Sequence, residues 1–162
     1  MESTTILVDV QNVFYTTKQA FSANFDYNKF WANITSNRRV VKAVAYAIDR
    51  GDKKQREFQN ILRAIGFEVK LKPFIQRSDG SAKGDWDVGI TVDAIKYAQE
   101  SDSVILVSGD GDFDILARHL IEDCNKQVHV YGVEKLTADS LIRAASTFTA
   151  INEPLLLQRK NN

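Results

Sequence analysis

Short apolar runs recur along the chain at intervals that are typical of alternating strands and helices. Five runs are predicted to be strands: residues 6–8, 40–48, 67–75, 104–107 and 128–131. The first and fourth are apolar at every position, as in central strands of a parallel sheet, where helices cover both faces. The pattern predicts an α/β fold, a three-layer α/β/α sandwich with a mainly parallel central sheet of about five strands.

Between these runs, apolar residues recur at the i, i+3, i+4, i+7 spacing of helices that pack on a core. Three such stripes are Tyr27, Phe30, Trp31 and Ile34; Phe58, Ile61, Leu62 and Ile65; and Phe113, Leu116, Ala117 and Leu120. Asp26 is expected to cap the first helix and Gly66 to end the second. A fourth helix is predicted from residue 87 to about residue 100, with Val88, Val92 and Ile95 facing the core.

A chain of 162 residues fits one domain, because single cores commonly reach ~100–200 residues. We assign residues 1–154 to this domain and residues 155–162 to a C-terminal tail. The one irregular stretch, residues 76–84, is a candidate mobile loop. The sequence has no signal-peptide pattern and no run near the ~20 apolar residues of a membrane span. Together with the single cysteine, Cys124, this favours a cytoplasmic protein without a membrane partner.

The formal net charge is zero, but the charges are unevenly distributed. Residues 38–83 contain twelve Lys or Arg and five Asp or Glu, a net +7, whereas the remainder contains nine and sixteen, a net −7. Two interpretations remain open. The segment could form ordinary solvated helix faces, or it could form a basic phosphate-binding surface beside a carboxylate-rich site.

Three acidic residues directly follow predicted strands: Asp9 ends the first strand, and Asp110 and Asp112 follow the fourth. Ligands of open α/β sheets bind outside the carboxyl ends of the strands, so these side chains are expected to share one edge. A single Asp there would be explained as a helix cap. Three carboxylates repel one another unless a cation compensates them, so the cluster favours a metal site.

Further candidates lie in the neighbouring loops and helices. Asp87 is placed in the first turn of the fourth helix and is a candidate metal ligand. Asp93 lies about 120° further round that helix and is a weaker candidate metal ligand. Asn12 could hydrogen-bond a substrate oxygen or cap a helix. Lys83 could contact a phosphate or be one exposed lysine among many, and Ser108 is a second candidate substrate contact. Two neighbours are assigned structural roles, Asp85 as a solvated or capping residue and Trp86 as a packing residue.

The predicted carboxylates are not accompanied by a Ser, Cys or His nucleophile in the setting of a catalytic triad. This favours hydrolysis of a phosphorus ester by water that a metal ion activates. Mg²⁺ or Mn²⁺ suits such oxygen ligands. A calcium-binding loop is excluded because Ile115 and Ile121 replace its glycine and glutamate. A dinucleotide fingerprint is excluded because Asp114 stands at its third glycine.

These motifs resemble the NYN domain family of PIN-like nucleases, in particular its LabA-like bacterial branch. The resemblance rests on ILVDVQN at residues 6–12, KGDWDVGITVD at residues 83–93 and ILVSGDGDF at residues 105–113. It implies a Rossmann-like PIN fold, Mg²⁺ or Mn²⁺, and RNA as substrate, with Asp9, Asp87, Asp110 and Asp112 holding metal and Asn12 and Asp93 supporting them. Two residues separate Gly84 from Asp87 where many relatives have one, and Ser146 stands where the family often has Asp.

Three functions are therefore compared. The first is a metal-dependent endoribonuclease. The second is a non-catalytic regulator that binds RNA or protein through the same fold, and the third is a phosphatase of small substrates. A homodimer is compatible with the sequence, which does not fix the oligomeric state.

Overall fold

The computed structural model describes residues 1–73, 75–76, 82–83 and 85–157. Its strands are β1 (Glu2–Asp9), β2 (Arg38–Asp49), β3 (Glu68–Pro73), β4 (Ile75–Gln76), β5 (Ala82–Lys83), β6 (Ser103–Val107), β7 (Gln127–Gly132) and β8 (Thr147–Ala150). Its helices are α1 (Val10–Phe21), α2 (Tyr27–Thr35), α3 (Lys53–Ile65), α4 (Asp87–Ala98), α5 (Asp114–Arg118) and α6 (Asp139–Ala144). A π-helical turn, His119–Asp123, extends α5, and 3₁₀ turns cover Gly111–Phe113, Glu134–Leu136 and Glu153–Leu155.

Six strands form the central sheet, in the order β3-β2-β1-β6-β7-β8, and every neighbouring pair is parallel. The chain moves outward from β1 to β3, then returns to the other side of β1 at β6. The strand order therefore switches between β1 and β6, where Val8 is paired with Val107. The short strands β4 and β5 form a separate antiparallel ribbon. Most of the predicted loop at 76–84 lies outside the described residues.

The sheet has six strands, whereas about five were predicted from apolar runs. The additional strand, β8, pairs with β7 at the edge of the sheet. It is four residues long and alternates between exposed and half-buried positions, with Phe148 as its one large apolar side chain. An edge strand of this kind produces no continuous apolar run.

Helices cover both faces of the sheet, which confirms the three-layer arrangement. In β1 the side chains of Ile6 and Val8 join the core under α1, α2 and α3. Leu7 points to the opposite face and joins the core under α4, α5 and α6. This alternation follows from the two-residue period of a strand. The predicted stripe from Phe113 to Leu120 is buried as expected.

The predicted caps are also present, since Asp26 accepts a hydrogen bond from the Lys29 N–H at 3.0 Å and Gly66 ends α3 with φ of 139°. The predicted core face of α4 is wrong: Val88, Val92 and Ile95 are 75%, 58% and 38% exposed. The buried residues are instead Ile90, Asp93, Ala94 and Ala98. Small alanines let α4 lie close to β1 and β6, so close packing decides the orientation over hydrophobicity.

Two smaller expectations also differ from the structure. Ile61, predicted to face the core, is 53% exposed. Residues 155–157, assigned to a tail, pack on the domain: Leu155 and Leu156 are buried, and the Leu155 carbonyl accepts the Asp26 N–H at 2.8 Å. Residues 158–162 lie outside the described part of the chain. Within the described part, none of the helices has the length and apolar character needed to cross a membrane.

Candidate metal centre

The acidic residues that follow β1 and β6 lie at the carboxyl edge of the sheet, where the strand order switches. Asp9 is the last residue of β1, and Asp110 lies three residues beyond the end of β6. Asp87 approaches the same edge as the first residue of α4. This crevice is where open α/β sheets bind ligands.

A tight turn after β6 fixes the position of Asp110. Its Oδ1 accepts the Asp112 N–H at 2.9 Å and so caps the 3₁₀ turn that follows. Gly109 lies against a neighbouring loop: a Cβ at this position would be 2.8 Å from the Leu136 carbonyl oxygen and 3.0 Å from Thr137 Oγ1. Glycine is thus needed here for close approach between two segments of the chain.

Asn12 and Ser108 connect the two sides of the crevice. The Asn12 Oδ1 accepts the Gly109 N–H at 2.9 Å, which ties α1 to the turn after β6. Ser108, which is fully buried, donates to Asp9 Oδ2 at 3.2 Å and accepts the Asp110 N–H at 3.2 Å. Ser108 was predicted to contact substrate, and Asn12 was predicted either to contact a substrate oxygen or to cap a helix; contact with substrate stays a prediction for both. In the structure their contacts position Asp9 and the turn that carries Asp110.

Three carboxylates converge in this crevice. Asp87, Asp110 and Asp112 each place an oxygen such that the three atoms lie within 4.8 Å of one another. Asp85 adjoins them; it is exposed, and its Oδ1 accepts the Asp87 N–H at 3.2 Å from the position before the N-cap residue Trp86. We call Asp87, Asp110 and Asp112 the carboxylate cluster; Asp9 lies beside it and is 8% exposed.

Burial and the repulsion between neighbouring carboxylates raise the pKa of two acidic residues in the crevice. The pKa of Asp87 is raised to about 7, first by burial and then by the hydrogen bond and charge of Asp110, with smaller contributions from Asp85 and Asp9. Burial raises the pKa of Asp9 to about 6, against the lowering effect of its hydrogen bonds, and the charges of Asp110 and Asp85 raise it further. Nearby cations would reverse these shifts.

Asp93, the weaker candidate ligand, is not brought to the cluster. Its Oδ2 accepts from Lys70 Nζ at 2.7 Å and from the Tyr46 hydroxyl at 2.7 Å. The turn of α4 carries it to the buried side of the helix, over β2 and β3, where it is 9% exposed. Asp87 and Asp93 therefore face different surroundings, as their angular separation on a helix allows.

One basic side chain beside the crevice was not singled out in the sequence. Lys72, on β3, lies with its Nζ 4.5 Å from the Trp86 ring centroid and donates to the Asp85 carbonyl at 3.0 Å. Trp86 packs against Tyr46 and donates to the Ala47 carbonyl, as expected of a packing residue. The basic segment 38–83 was the only signal for Lys72. The side chain of Lys83 lies outside the described residues, so its phosphate contact stays a prediction.

The donor set fits a hard divalent cation. All the converging atoms are carboxylate oxygens, the ligands that Mg²⁺ and Mn²⁺ prefer, and a cation between them would relieve the repulsion between Asp87 and Asp110. Few protein ligands suffice at such sites, because water and substrate phosphate complete the coordination. The residues present are therefore suited to hold Mg²⁺ or Mn²⁺.

Fold and site together define an α/β protein with an acidic crevice at the switch point of a parallel sheet. The model of the NYN domain matches residues 3–152, so the chain belongs to the NYN domain family. It is similar to the low amplitude and bright protein LabA of Synechococcus elongatus, with 27% identity over 91% of this chain and 83% of that protein. It is also similar to VPA0982 of Vibrio parahaemolyticus, a protein of unknown function whose crystal structure superposes with a TM-score of 0.92, at 58% identity over 96% of each chain.

Proposed function

We propose that the protein is an endoribonuclease that hydrolyses RNA phosphodiester bonds with Mg²⁺ or Mn²⁺ held by the carboxylate cluster. The observation that carries the proposal is the convergence of the Asp87, Asp110 and Asp112 oxygens within 4.8 Å at the switch point of the sheet. Membership of a family whose superfamily consists generally of nucleases supports it. RNA is proposed because the NYN resemblance implies that substrate.

Each residue of the crevice has a defined part in this proposal. The cluster would hold the cation, and a cation there would supply Lewis-acid stabilisation of phosphoryl oxygens and would activate water. Asp9, held by Ser108 beside the cluster, would stay ionised once a cation lowers its pKa, and so can accept a proton. Ser108 and Asn12 keep Asp9 and the turn after β6 in position. Lys72 offers a positive charge beside the crevice for a substrate phosphate.

The test is cleavage of a fluorescent single-stranded RNA by the full chain with Mn²⁺ or Mg²⁺. In Asp110→Asn we expect the rate to fall by at least ~100-fold, because a charged ligand is lost. The fold should persist, since Asn is also a good N-cap. Asp114→Asn is the matched control: Asp114 is in the same turn but pairs with Arg118 at 3.2 Å, outside the cluster. Unchanged cleavage by Asp110→Asn, or cleavage in excess chelator, would contradict the proposal.

A non-catalytic RNA- or protein-binding regulator is the second candidate. It is favoured by the zero net charge and by Ser146, whose Oγ accepts the Val128 N–H at 2.9 Å within the sheet, where the family often has Asp. RNA binding that is independent of metal, without turnover of any RNA offered, would favour this candidate over the nuclease. Small phosphoesters that compete with RNA for hydrolysis would instead indicate a phosphatase.

A further inference from the structure

A cavity of about 590 Å³ lies between α1, the end of β2 and the start of α3. This volume is within the range of small-molecule sites in proteins, ~300–1,000 Å³. Val10, the residue after Asp9, lines the cavity, as do Phe14, Tyr27, Phe58 and Gln59. The cavity therefore opens at the same edge of the sheet as the carboxylate cluster, on the α1 side of Asp9.

Aromatic rings form much of its surface. Tyr27 and Phe58 pack edge to face inside it, with ring centroids 5.5 Å apart. Phe14 and Tyr15 line it from α1 and are half exposed, at 50% and 51%. Exposed aromatic rings beside a cavity offer the flat faces on which nucleobases stack.

Two polar groups, the Gln59 amide and the Tyr27 hydroxyl, belong to residues that line the cavity. Gln59 is 4% exposed and Tyr27 is 8% exposed. Among the described residues, neither the Gln59 amide nor the Tyr27 hydroxyl forms a hydrogen bond. In the described part of the chain neither group counts among the enclosed polar atoms that lack a partner, so solvent in the cavity reaches both and a ligand can replace that solvent. A glutamine amide offers both donors and an acceptor, as the edge of a base requires.

Charge in and around the cavity favours an anionic ligand that extends toward the metal centre. Of the described residues that line it, Arg50 and Lys54 are basic and none is acidic. At the other side, burial raises the pKa of the Tyr27 hydroxyl and the charge of Asp9 raises it further. Val10, which lines the cavity, directly follows Asp9, so the cavity adjoins the carboxyl end of β1 beside which the cluster lies.

We infer that this cavity takes one base of a single-stranded RNA, held by aromatic rings and the Gln59 amide, while the adjoining phosphate lies at the carboxylate cluster. This inference rests on the proposed function for the phosphate, but the base contact is separate from cleavage. An unstacked base is required, so paired RNA is a poor ligand.

The test is the anisotropy of fluorescein-labelled ten-residue oligouridylate and oligoadenylate, measured in excess EDTA so that binding is separated from cleavage. Phe14→Ala is expected to weaken binding by about tenfold, the loss of one stacking contact, and Gln59→Leu to weaken it in a base-dependent way. Phe21→Ala is the matched control: Phe21 is also on α1 and 40% exposed but does not line the cavity, so its affinity should stay within about twofold.

Competition identifies the bound group. Adenosine and uridine monophosphates should displace the labelled RNA from the wild-type protein, and ribose 5-phosphate, which has no base, should not. Equal displacement by ribose 5-phosphate, or equal affinity of Phe14→Ala, Gln59→Leu and Phe21→Ala with unchanged circular dichroism, would overturn the inference. A cavity filled by a short fatty acid in preference to nucleotides would also overturn it.

These outcomes are distinct from those that test the nuclease. A protein that binds single strands through Phe14 and Gln59 but never cleaves them would support the base site and contradict the proposed function. If the Phe14→Ala and Gln59→Leu variants cleave RNA with the wild-type KM and bind it with the wild-type affinity, the proposed function is supported and the base site is contradicted.

Discussion

Replacing Asp9 by Asn tests whether the charge at the end of β1 opposes folding when no cation is bound. The pKa of Asp9 rises from its usual 3.8 to about 6, chiefly because the carboxyl is buried. The folded protein therefore holds this proton more tightly than the unfolded chain does. The stabilising contribution of the protonated carboxyl is complete below pH 3.8 and is lost as the pH rises through about 6.

The size of the effect follows from the same values. Since one pH unit corresponds to about 1.4 kcal/mol, the ionised carboxylate lowers the free energy of unfolding by about 3 kcal/mol above pH 7. Asparagine mimics the protonated carboxyl and does not ionise. We expect Asp9→Asn to be more stable than wild type by about 3 kcal/mol at pH 8 and by about 0.5 kcal/mol at pH 4.

The assay is urea unfolding in EDTA at pH 4 and pH 8. Asp102→Asn is a control of opposite sign, because hydrogen bonds from Ser3 lower the pKa of the exposed Asp102. Its stabilising effect is present above the usual pKa and is lost on acidification, so this variant should be less stable than wild type at pH 8. An Asp9→Asn protein no more stable than wild type at pH 8 would refute the assigned burial and charge of Asp9.

Three further outcomes are expected. Calorimetry should show that Mn²⁺ affinity falls with acidification below pH 7 and levels above it, because the ligand Asp87 has a pKa of about 7; affinity that does not vary between pH 5 and pH 8 would contradict this. Asp93→Asn should lower the free energy of unfolding by ~1–3 kcal/mol, because Lys70 loses its charged partner, yet leave Mn²⁺ affinity unchanged; a tenfold loss of affinity would restore Asp93 as a ligand. Gly109→Ala should lower the melting temperature and the cleavage rate together, because its Cβ would lie 2.8 Å from the Leu136 carbonyl oxygen; wild-type values for both would show that the loop can move away.

The position of the cluster was predictable because it depends on local pattern and one general rule. Apolar runs locate β1 and β6, and acidic residues directly after them must lie at the carboxyl edge of a parallel sheet. Asp9, Asp110 and Asp112 follow from that argument. Asp87 could be added because a helix that begins at an acidic residue presents its first turn to the same edge.

The orientation of α4 was not predictable in this way. Two apolar sets share the helix, one containing Val88 and Val92 and the other Ile90 and Ala94. Hydrophobicity favours the first set, but the close approach of α4 to the sheet requires the smaller residues. The same rotation directs Asp93 to Lys70, on a strand that is distant in sequence.

Contacts between distant segments account for the other features that the sequence did not reveal. Ser108 is a buried link between two carboxylates only because β1 and β6 are neighbours. The position of Lys72 beside Trp86 depends on how β3 and the start of α4 meet. The cavity beside Asp9 is formed jointly by α1, the end of β2 and α3, segments that are distant in sequence, so no periodicity indicates it.

The central claim is that the carboxylate cluster holds a divalent cation. Anomalous difference density from crystals soaked in Mn²⁺ tests it most directly. The account predicts a peak bound by Asp87, Asp110 and Asp112, with Asp9 beside it, and loss of that peak in Asp110→Asn. Crystals that take up Mn²⁺ at other positions while the cluster stays without a peak would contradict the account.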